Sequence, residues 1–302
     1  EARKFLFEIM TPEQRAAFEA TNELDFAYAV EGLGRFRVNV LTQSRGVGAV
    51  FRVIPAKIPT IDDLGLPRVL KRFAALQNGL VLVTGPTGSG KTTSLAAIMS
   101  EINRTQQRHI ITIEDPIEYV HAPAKSLITQ RQVGVHAESF ASALRSALRE
   151  SPDVIVIGEL RDVETVMLAL SAAETGVLVF GTLHTNSAAK SIDRLIDVCD
   201  EDAQAQVRVT LSSLLRGVVA QHLVKRLTAE GMIAATEVLV PSVALSHMIR
   251  EGKTYQIDGY IQSNESEGSE MRSLDATLTK LVREGVVDVE DEIGRASCRE
   301  RV

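Results

Sequence analysis

The chain of 302 residues has no tryptophan, and with four tyrosines and nine phenylalanines its aromatic content is 4%. A surface that stacks sugars or unpaired bases on aromatic faces is not built at that density. It has two cysteines, Cys199 and Cys298, too few for a disulfide framework or a four-thiolate zinc site, and a reducing compartment fits. No apolar run reaches the length of about 20 residues that crosses a bilayer. The opening EARKFLFEIM is too short and too charged to be a signal peptide. Basic excess is missing as well: 33 Lys and Arg stand against 39 Asp and Glu, a net charge of −6. That balance argues against life on nucleic-acid phosphates. What is present is ordinary for a folded cytoplasmic protein, 45% hydrophobic and 24% charged. The length suits two domains, one of them large.

Residues 1–54 read as a small α+β domain. Positions 1–22 are helical, with Thr11 as N-cap and Pro12 opening a turn, and 24–54 alternate as strands around a hairpin at Gly32 and Gly34. Residues 55–67, with Pro55, Pro59 and Pro67, read as a stiff extended linker. From 68 to 228 strand and helix alternate: GLVLVTG, HIITIED, DVIVIGEL and VLVFGTLH are strands, each followed by helical pattern. This predicts an α/β core with a parallel sheet and helices on both faces. Residues 203–227, 241–251 and 271–285 read as helices, so 229–292 forms a helical C-terminal part. The chain starts at Glu1 without Met, which reads as a lost N-terminal piece that truncates the first domain. From Glu292 the run EIGRASCRERV changes character, and residues 293–302 read as a translated sequencing adaptor.

The polar punctuation of the core lies at strand ends, where such sheets bind ligands. GPTGSGKT, running through Gly85, Pro86, Thr87, Gly88, Ser89, Gly90, Lys91 and Thr92 and followed by Thr93, fits the phosphate-binding loop between a strand and a helix. Its glycines let backbone amides curl around a triphosphate at a helix N-terminus, while Lys91 reaches the β and γ phosphates and Thr92 ligates Mg²⁺. The predicted ligands are ATP and Mg²⁺. DVIVIGE ends a strand on Glu159, expected beside the strand of the phosphate loop and able to hold Mg²⁺ through water. Glu114, Asp115 and Glu118 cluster in TIEDPIEYVH, where carboxylates can activate water or bind metal. His184 in GTLHTNS is either a structural hydrogen-bonder or a sensor of the γ-phosphate. Arg37 and Arg52, with Arg35 and Arg45, lie in the small domain; they are either a solvated sheet face or a source of positive charge for a phosphate.

Together these motifs resemble the secretion ATPase superfamily of type II secretion, type IV pili and type IV secretion, over Glu13 to Glu290. The resemblance implies a RecA-like P-loop NTPase core with a PAS-like N-terminal domain. GPTGSGKT corresponds to the Walker A loop and IEDPIEYVH to the aspartate box, with Glu118 as general base and Glu114 and Asp115 as metal-side acids. VIVIGELRD corresponds to the Walker B box, with Glu159 toward Mg²⁺, and GTLHTN to the histidine box, with His184 near the γ-phosphate. Arg37 and Arg52 match the arginines that reach nucleotide on domain closure. The family further implies a homo-hexamer peripheral at the inner membrane, docked on a pilus platform protein, with no nucleic acid and no membrane insertion.

RGVGAVFRVIP, SALRESPDVIVIGELRD and the stretch around the histidine box are most similar to the pilus retraction branch. The four-cysteine zinc insertion of assembly and secretion ATPases is missing. The helix read as AIRNLIRE in retraction ATPases is ALSHMIRE here: Ala244, Ile249, Arg250 and Glu251 match, while Ser246 and His247 depart. The competing readings are a pilus assembly or type II secretion ATPase, a non-catalytic nucleotide-binding adaptor, and a nucleic-acid motor.

Overall fold

The computed structural model describes residues 2–31, 33–54, 57–228, 230–266 and 269–289. Gly32, Pro55, residues 293–302 and Cys298 lie outside the described residues. The chain divides into two compact units, Glu1–Ile58 with Asp115–His121, and Pro59–Glu114 with Ala122–Val302.

The small unit holds helices α1 (Ala2–Glu8) and α2 (Pro12–Thr21) and an antiparallel sheet of β1 (Glu23–Val30), β2 (Gly34–Gln43) and β3 (Gly46–Ile54) in that order. The helical stretch expected over 1–22 is two helices, divided where Thr11 caps α2 as expected. Its hydroxyl accepts from Gln14 N–H at 3.2 Å, and Gln14 Oε1 accepts from Thr11 N–H at 2.9 Å, a reciprocal cap. Leu6, Met10 and Phe18 pack on Phe26, Val38 and Val40. The period-2 alternation of β2 places Arg37 on the face opposite Val38 and Val40, directly across from Arg52 of β3.

The large unit runs α3 (Val69–Ala75), β4 (Gly79–Thr84), α4 (Lys91–Thr105), β5 (His109–Glu114), β6 (Leu127–Gln132), α5 (Phe140–Ala147), β7 (Val154–Ile157), α6 (Val163–Glu174), β8 (Leu178–Leu183), α7 (Ala188–Asp197), α8 (Glu201–Leu214), β9 (Leu215–Lys225), β10 (Met232–Leu239), α9 (Val243–Arg250), α10 (Ile257–Asn264) and α11 (Leu274–Arg283). Its strands form one sheet in the order β10-β9-β4-β8-β7-β5-β6. All neighbours are parallel except β10 and β9. Alternate residues of each strand feed opposite cores. Leu80, Leu82, Ile155 and Ile157 pack with α5 to α8, whereas Val81, Val83, Val154 and Val156 pack with α3 and α4. This two-sided burial makes the strands read as continuous apolar runs, and the result is the expected α/β fold.

Four expectations are corrected. Residues 215–225 form strand β9 and do not continue the helix expected over 203–227. Gly217 and the β-branched Val218 and Val219 disfavour helix, and Val218 and Val219 are buried in opposite cores. Second, the part expected to be helical begins with β10, which pairs antiparallel with β9. Third, the connector is not extended throughout its described residues: Ile61 to Gly65 form a turn, with Thr60 and Asp63 bonded reciprocally at 3.0 Å each way. Its Ile61 and Leu66 bury in the core that holds α3, because three prolines do not outweigh that apolar gain. Fourth, the strand that leads to Glu159 is not beside β4. Strand β8 lies between them, since the chain returns from β7 inward to the sheet centre.

Gly217 lets β9 lie against α3: a Cβ there would stand 2.2 Å from the buried Phe73 ring. Gly217→Ala is therefore expected to cost about 1–3 kcal/mol of stability, read as a lower urea midpoint, and Phe73→Leu in the same chain should recover part of it.

Candidate active site

Strand β4 is buried along its length and delivers Gly85 to the sheet's carboxyl edge. There Gly88 and Gly90 adopt φ of 78° and 87°, which other residues adopt only with strain. The chain then enters α4 at Lys91 with Gly90 as its left-handed cap. The amides of the first turn, with Thr92 and Thr93, make an anion site at the positive end of the helix. Lys91 Nζ donates to the carbonyls of Gly85 at 2.7 Å and Pro86 at 3.0 Å. Burial lowers the Lys91 pKa, and the charge of Glu159 opposes that shift. The ammonium is thus half-desolvated and held inside the loop whose ligand it is to meet.

His184 follows β8 and ties this loop to the next strand. Its Nδ1 lies 3.4 Å from Thr87 Oγ1 and 3.5 Å from Lys91 Nζ. Its Nε2 lies 3.3 Å from Glu159 Oε1. The other oxygen of Glu159 meets Arg161 Nε at 2.7 Å. The turn under Glu159 is fixed to β8 by Thr182 Oγ1 donating to Gly158 O, and by Leu160 N–H donating to Thr182 O at 3.0 Å. The structure therefore brings together Gly85 to Thr93, His184 and Glu159 within the large unit.

Glu114 ends β5, buried, and accepts from Thr112 Oγ1 at 2.6 Å and Gln130 Nε2 at 3.1 Å. Asp115 and Glu118 belong to the small unit, although the sequence reading counts them with the core. Glu118 Oε1 stands 3.6 Å from Arg37 Nη1. Like charges opposite one another weaken a sheet, so Glu118 offsets the Arg37 and Arg52 pair. Arg35 and Arg45 lie on the same small sheet and its turn, Arg45 exposed.

Among the described residues no group of three carboxylate, imidazole or thiolate side chains converges to hold a metal. The donor set at the loop, the Thr92 hydroxyl with the Glu159 carboxylate, still fits Mg²⁺, which keeps most of its ligands as water and phosphate oxygens. Sequence reasoning missed Arg161 as the partner of Glu159, and it missed Gln221 of β9, which donates to Ser89 O at 2.6 Å. The signal for Gln221 was one amide inside the apolar run VVAQHLV.

The family described as Type II/IV secretion system protein matches residues 26–259. The chain is 49% identical over 295 residues to the type IV pilus retractation ATPase PilT of Pseudomonas aeruginosa, covering 98% of this chain and 85% of that one. It is 47% identical over 292 residues to a twitching motility protein of Neisseria gonorrhoeae, covering 97% and 78%. A crystal structure of the pilus retraction motor PilT with bound ADP superposes with a TM-score of 0.89 at 45% identity, covering 97% of this chain and 82% of that one.

His121 closes the segment that carries Glu118, and burial pushes its pKa down from 6.5 to about 4. It is neutral in the fold at pH 7. As pH falls from 6.5 to 4 the unfolded chain takes a proton that the folded chain refuses, so stability drops across that window. His121→Gln should make the urea midpoint fall less steeply between those pH values. Equal slopes in both proteins would remove His121 from the acid response.

Proposed function

The chain belongs to the type II/IV secretion system protein family and is an ATP-hydrolysing enzyme, and on that premise we propose that it is a Mg²⁺-dependent motor that withdraws type IV pili. The observation that carries this reading is the cluster in which His184 joins Thr87 and Lys91 of the phosphate loop to Glu159. Relatives named for pilus retraction and twitching motility support the direction of the work. Among the described residues no helix is long and apolar enough to cross a membrane. In our reading the motor is a homo-hexamer, peripheral to the inner membrane face and docked on a pilus platform protein.

The chemistry is positioning and charge neutralisation. Loop amides from Gly88 to Thr92 cradle the phosphates, and Lys91 exchanges the carbonyls of Gly85 and Pro86 for β and γ oxygens. Thr92 and Glu159 would hold Mg²⁺, with Glu114 and Asp115 as the further metal-side acids. When bound there, the metal would supply charge compensation on the phosphates. Glu118 takes the proton of the attacking water once Arg37 releases it, and Arg37 and Arg52 then stabilise the charge developing on the γ-phosphoryl group. His184 reports the state of that group to Glu159.

Purified protein should hydrolyse ATP only with Mg²⁺ and scatter light as six copies. Glu118→Gln and Glu159→Gln should each lower turnover by about 100-fold or more while keeping ADP binding. Wild-type protein that binds nucleotide without turning it over would sink the motor. Failure to restore twitching in a strain lacking its own retraction ATPase would move the protein to another branch of the family.

A further inference from the structure

Parallel pairing of β9 with β4 matches Ala220 to Thr84, the last residue of β4. The next residue of β9, Gln221, therefore stands level with the start of the phosphate loop. It is 1% exposed. Three contacts converge on it. Its Nε2 donates to the Ser89 carbonyl at 2.6 Å. A Cβ on Gly85 would lie 2.3 Å from the Gln221 carbonyl oxygen, and a Cβ on Gly90 would lie 3.1 Å from Nε2. The loop's first and last glycines are thus the residues that let it sit on this one side chain and its backbone.

We infer that Gln221 is a positioning residue for the phosphate loop: by holding the Ser89 carbonyl it aims the Gly90 amide at the phosphates. The inference rests on the nucleotide-hydrolysing reading of the site. The peptide between Ser89 and Gly90 is planar, so its N–H points opposite to its C=O. Fixing the carbonyl toward β9 turns the amide away from β9 and into the loop. For stability the residue is near balance, its bond to the Ser89 carbonyl set against an unpaired atom of its own. Its Oε1 is buried without a hydrogen-bond partner among the described residues, and such an orphan acceptor costs folding free energy. An apolar side chain of the same length would avoid that cost but leave the buried Ser89 carbonyl without its donor. The amide's use is therefore in the geometry of the loop.

The test is Gln221→Met, which keeps length and volume and removes the donor, compared with wild type by calorimetric titration with ADP and by thermal unfolding without ligand. ADP affinity should fall about tenfold, the equivalent of one hydrogen bond, while the ligand-free Tm falls by a few degrees at most. Affinity within about twofold of wild type would overturn the inference. So would a larger fall in ligand-free Tm, which would make Gln221 a structural residue. Wild-type ATP hydrolysis is measured alongside. A wild type that binds ADP but does not hydrolyse ATP removes the motor reading and leaves the affinity comparison intact.

Discussion

Burial of the large sheet on both faces is the constraint from which the rest follows. Each strand must give one residue to the core under α5 to α8 and the next to the core under α3 and α4. Polar chemistry has no room along the strands and is displaced to their carboxyl ends. Gly85, Glu114, Glu159 and His184 all lie there. The order of strands then decides which of these groups meet. Because β8 lies between β4 and β7, the imidazole at its end stands between the lysine of one neighbour and the carboxylate of the other.

The charges in that row have protein partners. Lys91 is bound by the carbonyls of its own loop, and Glu159 is shared between His184 and Arg161. In the small unit Arg37 is shared between its like-charged neighbour Arg52 and the carboxylate of Glu118. Lys91, His184, Glu159, Glu118 and Arg37 are thus each committed to a partner before a nucleotide arrives. Binding has to exchange these contacts for contacts to phosphate. An exchange of one satisfied arrangement for another has a small net energy, as a reversible cycle requires.

Much of this was legible in the sequence because local rules and the fold agree. The loop from Gly85 to Thr92 has glycines where left-handed backbone is needed and lies between an apolar run and a helix. Thr11 and Pro12 mark a helix start for reasons confined to a few residues. The misreadings share another cause. In 215–225 the apolar spacing satisfies a helical period as well as a buried strand, and only partners far along the chain decide. Ile61 and Leu66 look like linker residues until α3 provides somewhere to bury them. The roles of Gln221 and of Arg161 were illegible because a single polar residue carries no pattern, and its partner is set by register.

The small unit is made of two separated pieces of chain, Glu1–Ile58 and Asp115–His121, with residues 59–114 belonging to the other unit. During synthesis the first piece leaves the ribosome well before the second. It can form its helices and sheet, but Arg37 has no Glu118 until β4, α4 and β5 have been made. Closing so long an intervening loop is entropically slow to gain. The arginine-bearing sheet is therefore an unfinished folding unit that waits for the core. The acid that completes it also begins directly after strand β5, so assembly of the small unit is timed by the folding of the large one.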